Sequence, residues 1–371
     1  MKIGIDAKWL FDGHISGRLF IQNVLPELIA LHPEIEWHIF LDKKNKRFEL
    51  PIKEQNITVH YVWAGFNMLS NLFVLPRYAK RLNLDAVLFQ TFAPKGTSFK
   101  SIVFIHDVLF RNYPQYFTWT EKIYFSPLKW TVPLADRILT TTEFVKNELV
   151  KHKYSKDQLV DLAPSGVTKI FKPQSQCDKE FLMKTRQKFD LPDSYLLYVG
   201  RLNERKNIHG LINAMTLLKN NIPLVVVGEK DWKLPPKKDM QPYEFLKSQI
   251  HFLGNVTDEE LACIYASATV FCFPSFAEGF GLPPLEAMAA GIPVIVSNTT
   301  AMPEVCSEFA LFVDPHSSKD IAEKINWVLS NGNYCQQRIT EGVKWSGQYT
   351  WKRTAEGIMK SIFSAVETGK N

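Results

Sequence analysis

Two glutamates eight positions apart, Glu278 and Glu286, stand in the run Pro274-Ser-Phe-Ala-Glu-Gly-Phe-Gly-Leu-Pro-Pro-Leu-Glu-Ala-Met-Ala-Ala-Gly291. Between them, Gly279 and Gly281 let backbone approach a ligand with no Cβ in the way. Pro283 and Pro284 suit the first turn of a helix, and Gly291 suits its end. A helix N-terminus offers unpaired N–H groups and partial positive charge, which favour phosphate. Carboxylates beside that end would repel an anion unless they hold hydroxyls, so sugar or ribose hydroxyls are their natural partners. Phosphate and hydroxyls together describe a nucleotide sugar.

Two further stretches carry groups suited to the same ligand. Gly200-Arg-Leu-Asn-Glu-Arg-Lys-Asn207 follows an apolar run and opens a helical pattern, with Arg201 and Lys206 at the edge of a sheet. Arginine brings a planar fork and lysine a mobile point charge, a combination that suits a diphosphate. On spacing alone an ordinary solvated charge cluster is the better fit. Ile102-Val-Phe-Ile-His106-Asp107 puts a histidine at the carboxyl end of a strand, where it can be structural or can meet a ligand.

The stretch EGFGLPPLEAMAAGIPVIVS, with its Glu-x7-Glu spacing, resembles the donor-site signature of retaining GT-B glycosyltransferases of family 4, the group 1 glycosyltransferases. The resemblance implies an α/β chain of two Rossmann-like domains facing across a cleft. It is most specific from Tyr195 to Val313. It also implies a role for each candidate residue. Arg201 and Lys206 match the family's GR-x4-K pyrophosphate clamp. Glu278 would hold hydroxyls of the transferred sugar and Glu286 those of the ribose, with the amides around Phe280, Gly281 and Leu282 completing the cradle. His106 would contact the donor sugar. Gly17, in Asp12-Gly-His-Ile-Ser-Gly-Arg18, matches the family's glycine-rich first loop, although Ile15 and Ser16 depart from the commoner form.

These residues need a scaffold, and the apolar periodicity supplies one. Strand-like runs at 2–6, 37–41, 58–62, 86–89, 101–105 and 137–141 alternate with helical patterns at 18–31, 71–82, 120–134 and 143–152. The second half repeats the theme with strands at 195–199, 223–227, 251–253, 269–273, 293–296 and 311–313. Its helices fall at 208–218, 258–266, 285–290, 319–329 and 351–366, with Asp258 expected as an N-cap. Such alternation predicts parallel sheets covered by helices. The prolines and glycine of Ala163–Pro173 mark the junction. The expected organisation is an acceptor-binding domain over 1–168, a donor-binding domain over 169–350, and a last segment, 351–371, crossing back to the first.

Composition excludes several classes. The 371 residues are 46% apolar, enough for two full cores. No apolar run reaches the length of a membrane span, and the first residues read as a strand rather than a signal peptide. Five cysteines without a C-x-x-C pair suit reduced thiols in a cytoplasmic protein. Residues 1–172 hold 23 Lys+Arg against 16 Asp+Glu, a net +7, while the remainder holds 21 against 22, a net −1. The excess is a surface imbalance or a face for an anionic acceptor or membrane. Aromatics interleaved with basic residues at 66–81 and 110–130 point to weak peripheral contact with a membrane. Nucleic acid is not expected, as no recognition module is present.

No metal and no bound cofactor is expected: Asp-x-Asp does not occur, and no His/Cys cluster has ligand spacing. The expected activity is retaining, metal-independent transfer of a hexose, mannose-like or glucose-like, from a GDP- or UDP-sugar. The acceptor is a saccharide or lipid-linked molecule in cell-surface polysaccharide synthesis. Two other functions fit the same ligand, a nucleotide-sugar epimerase on the same architecture and a non-catalytic nucleotide-sugar-binding protein.

Overall fold

A computed structural model describes residues 1–52, 54–96, 98–228 and 245–368. The chain divides into two compact units, Met1–Gly166 with Thr350–Asn371, and Val167–Tyr349. The expected boundaries lay two residues later at the first junction and one later at the second.

Unit 1 is built on seven parallel strands: β1 (Lys2–Asp6), β2 (Glu36–Asp42), β3 (Ile57–Val62), β4 (Ala86–Gln90), β5 (Lys100–Phe104), β6 (Arg137–Thr140) and β7 (Val160–Leu162). Their order is β3-β2-β1-β4-β5-β6-β7. Alternate residues feed two cores. Ala86, Leu88, Ile102 and Phe104 enter one, while Val87, Phe89, Val103 and Ile105 enter the other. A sheet buried on both faces reads as continuous apolar runs, and this is why its strands stood out in the sequence. The helix Ile15–Leu31 and the last helix, Trp351–Glu367, share the first core through Phe20, Val24, Ile358 and Ile362. Thr354 Oγ1 donates to the Pro164 carbonyl at 2.5 Å and Ser361 Oγ to Asp161 at 2.7 Å, fixing the last helix within this unit.

Unit 2 carries six parallel strands, β8 (Leu196–Val199), β9 (Leu224–Val227), β10 (Ile250–Gly254), β11 (Val270–Phe273), β12 (Val294–Ser297) and β13 (Leu311–Val313), in the order β10-β9-β8-β11-β12-β13. From β8 the chain runs outward one way to β10, then returns to β11 and runs the other way. The carboxyl ends of β8 and β11 therefore flank a topological switch point, where doubly wound sheets bind ligands.

Several local expectations change. The pattern at 120–134 is broken into Trp119–Phe125 and Leu128–Thr131, with Pro127 and Pro133 ending continuous helix. The pattern at 71–82 starts earlier, at Asn67, and passes through a π turn at Ser70–Val74. The cap of the helix Asp258–Ser267 is Thr257, not Asp258: its hydroxyl accepts from Glu260 N at 3.2 Å, and the Glu260 carboxylate accepts from Thr257 N at 3.0 Å. That reciprocal box satisfies two orphan amides.

Candidate active site

β8 and β11 are hydrogen-bonded neighbours, so the loops leaving them meet. After β8, the turn Glu204–Lys206 projects two adjacent cations; after β11, Glu278 faces them. Lys206 Nζ lies 2.8 Å from Glu278 Oε1, and the Arg205 guanidinium lies 3.0 Å from Oε2. The Lys206 ammonium also stands over the Phe273 ring, 4.6 Å from its centroid. Glu278 is only 6% exposed. Burial pushes its carboxyl up, but Arg205 and Lys206 outweigh that and hold it below the ordinary glutamate value. Beyond its ion pair with Lys206, Oε1 has no hydrogen-bond partner among the described residues. It keeps acceptor capacity for a hydroxyl.

The two loops are stapled from below. Asn207, buried and left-handed at φ 54°, donates from Nδ2 to the Pro274 carbonyl at 2.9 Å and the Pro315 carbonyl at 2.7 Å. Its Oδ1 accepts from Gly210 N at 3.1 Å, capping the helix Ile208–Met215. Phe276 N donates to the Arg205 carbonyl at 2.9 Å, and the Arg205 guanidinium donates to the Ala277 carbonyl. Glu278 N donates to Thr300 Oγ1 at 3.0 Å. Backbone contacts therefore fix the spacing of the cations and the carboxylate.

Gly281 caps the helix Leu282–Ala289 with φ +108°, a conformation that L side chains rarely adopt. A Cβ there would also stand 2.3 Å from Met302 Cε. Pro283 and Pro284 fall in the first turn, where their missing N–H groups cost nothing. Phe280 is buried, its ring edge-on to Tyr349 with centroids 5.9 Å apart, and Leu282 opens the helix. Glu286, half-buried, accepts from the Tyr265 hydroxyl at 2.9 Å. Burial pushes its carboxyl up to about 7 against that hydrogen bond.

Lys206, Glu278, Phe280, Gly281, Leu282 and Glu286 thus stand along one edge of unit 2. Arg201 is exposed on the same loop, with its carbonyl accepting from Tyr198 Oη at 3.3 Å; the guanidinium beside Glu278 belongs to Arg205. Arg205, Asn207, Tyr265 and Thr300 were not singled out in the sequence. Arg205 is adjacent to Lys206, and only the tight turn reveals that both cations face the same carboxylate.

Two expected residues lie in unit 1. His106 follows β5 and meets Phe104 and Phe20 edge-on at 4.9 and 5.5 Å between centroids. Burial pushes its imidazole down to about 4, so the ring is neutral at physiological pH, and Nε2 has no hydrogen-bond partner among the described residues. Gly17 lies in the first turn of Ile15–Leu31, where a Cβ would come 2.3 Å from Trp9 Cε3. A rigid indole packed against the helix accounts for glycine there. Among the described residues no three His, Cys, Asp or Glu side chains gather as a metal centre.

Two parallel-stranded Rossmann-like units are the GT-B architecture, and the second carries a buried acid between two cations at its switch point. The profile of the family described as "Glycosyl transferases group 1" matches residues 180–345. The O-antigen chain mannosyltransferase B of Escherichia coli is 30% identical over 260 residues, covering 68% of this chain and 67% of that protein. The serotype-specific mannosyltransferase WbdA of Escherichia coli is 30% identical over 63% of this chain, which spans only 30% of that longer protein. Among solved structures, Anabaena Alr3699/HepE in complex with UDP and glucose superposes with a TM-score of 0.71 at 14% identity, covering 98% of this chain and 100% of that one. The chain belongs to the group 1 glycosyltransferase family, and it is a glycosyltransferase enzyme.

Proposed function

We propose that this enzyme moves a mannose-type or glucose-type hexose from a GDP- or UDP-sugar to a saccharide or lipid-linked acceptor in cell-surface polysaccharide synthesis, with retention and without a metal. The observation that carries the reading is the Arg205–Glu278–Lys206 cluster beside the Gly281 turn. Its cations would neutralise a diphosphate, its carboxylate would hold hydroxyls of the transferred sugar, and Glu286 would hold those of the ribose. Arg201, on the same loop, would add a second guanidinium to the phosphates, and the amides at Phe280, Gly281 and Leu282 would line them. His106 offers a neutral imidazole to a sugar hydroxyl. The names of the O-antigen relative and the UDP-bound Anabaena neighbour support this choice of substrates.

In the proposed reaction the acceptor hydroxyl attacks the anomeric carbon on the face that the nucleotide leaves. The glycosidic bond to phosphate breaks as the new one forms, and the departing diphosphate takes the acceptor's proton. The cations make that departure easier without a divalent ion. Transfer assayed in excess chelator is expected to run at an unchanged rate and to give, by NMR, the donor's own anomeric configuration. An inverted product, or activity restored only by magnesium, contradicts the reading.

Glu286 makes donor binding depend on pH. Its folded value of about 7 lies above that of a free glutamate, so the protonated form stabilises the ligand-free fold. That stabilisation is full at acid pH and is lost as pH rises through 7. Ribose hydroxyls need the carboxylate, so donor affinity is expected to fall by up to about tenfold per unit below pH 7. Glu286→Gln should flatten that slope. A wild-type slope preserved in the variant assigns the titration elsewhere.

No helix among the described residues is long and apolar enough to cross a membrane. Unit 1 nevertheless exposes Phe66, Trp119 and Trp130 by 69%, 71% and 67%, on stretches that also carry Arg77, Lys80, Arg81, Lys122 and Lys129. Aromatic anchors among cations suit a peripheral site on anionic headgroups at the cytoplasmic face. Flotation with anionic liposomes should enrich the protein, and equal partition with neutral ones would dismiss the contact.

A further inference from the structure

Glu278 meets Arg205 and Lys206 through its side chain, but its backbone is held from a different strand. β12 pairs with β11, and the turn that leaves it, residues 298–302, crosses the loop carrying the glutamate. Thr299 Oγ1 donates to the Phe276 carbonyl at 3.1 Å. Glu278 N donates to Thr300 Oγ1 at 3.0 Å, and Ala301 N donates to the Glu278 carbonyl at 3.3 Å. Met302, fully buried, packs against Gly281. Each residue from 299 to 302 thus touches the loop, and the amide and carbonyl of Glu278 are both taken.

This grip uses an unusual residue. Thr300 has φ +56°, in the left-handed region that glycine and asparagine enter readily and a β-branched residue does not. Strain of that kind persists only where the surroundings over-determine the backbone, and it gathers at functional sites. Within the turn, the Thr299 carbonyl accepts from Met302 N at 3.2 Å and from Thr300 Oγ1 at 2.8 Å. With its proton committed there, the Thr300 hydroxyl presents only lone pairs to Glu278 N, so its direction is set before any ligand arrives. Glycine would form the same turn without strain. What threonine adds is the hydroxyl.

We propose that Thr300 is a positioning residue for sugar transfer: its hydroxyl fixes the Glu278 backbone, and through it the direction in which the carboxylate meets the donor sugar. The inference rests on the reading of Glu278 as the group that holds the sugar's hydroxyls. Arg205 and Lys206 attract the carboxylate by charge, whereas the bond from Thr300 sets where the side chain starts. Misplacing such a group by about 1 Å can cost roughly 10²-fold in rate.

The test compares Thr300→Ser, Thr300→Val and Thr300→Gly in the full chain. Each is followed by thermal melting, by calorimetry with GDP and UDP, and by nucleotide release from GDP-mannose and UDP-glucose. Serine keeps the hydroxyl and should keep kcat within about threefold of the wild type. Valine and glycine lack it, and both should lower kcat by about tenfold or more while nucleotide affinity holds. Their stabilities should part, since valine keeps the strained φ and glycine relieves it, so the glycine variant should melt higher. A role confined to stability would bring the glycine variant's rate back with its melting temperature. A glycine variant as fast as the wild type, a serine variant as slow as valine, or nucleotide affinity falling as far as kcat overturns the inference. Glu278→Gln, run alongside, separates the two claims. If it is slow while Thr300→Gly is fast, the positioning role alone fails. If it is as fast as the wild type, or if the wild type releases nucleotide from neither donor, the donor reading fails and this inference falls with it.

Discussion

Lys206→Ala is expected to lower kcat for sugar transfer by about 10²–10³-fold, the usual cost of removing one preorganised group from a developing charge. The ammonium lies against Glu278 and over Phe273, so it is held in place before any ligand arrives. The diphosphate gains a further negative charge as the glycosidic bond breaks, and a fixed cation acts most strongly there. Removing Lys206 also strips the buried Glu278 of one of two neighbouring cations. Arg205 remains 3.0 Å away, so the loss of stability should be smaller than the 3–5 kcal/mol typical when a buried charge is left alone. Glu278→Gln should slow transfer as well, and the double variant should cost less than the two losses combined, because the pair acts as a unit. Single and double variants compared by steady-state kinetics and thermal melting check both parts. A Lys206→Ala enzyme within threefold of wild type excludes the proposed role.

Gly281→Ala should have the second large effect, through the backbone. Met302 Cε would lie 2.3 Å from the new Cβ, but a methionine terminus can swing aside. The φ of +108° offers no such escape, since any L side chain is strained there. The expected cost is about 1–3 kcal/mol, read as a lower melting temperature, together with weaker nucleotide binding as the first turn of Leu282–Ala289 shifts. Adding Met302→Ala relieves the steric part and should recover only a fraction. Full recovery would show that space, not backbone conformation, requires glycine at this position.

The donor-side reading was legible in the sequence because its residues are close along the chain. Glu278, Gly281, the two prolines and Glu286 fall within one strand-loop-helix passage, and local spacing carries most of their geometry. The strands were legible for a related reason, as parallel strands buried on both faces are unbroken apolar runs. What depends on tertiary contact stayed hidden. Arg205 reads as one charge among several until the turn at Glu204–Lys206 aims it at Glu278. The helix Lys179–Lys188 was missed because its sequence, KEFLMKTRQK, buries only Leu182 and Thr185. Gly332–Ser346 was missed because Gly342 interrupts its pattern.

The most direct measurement is isothermal calorimetry of GDP and UDP, in chelator, against the wild-type chain and Lys206→Ala. One of the nucleotides is expected to bind the wild type without a divalent ion, and Lys206→Ala to weaken it at least tenfold. Binding of neither nucleotide, binding only with a metal, or equal affinity in the two proteins would contradict it.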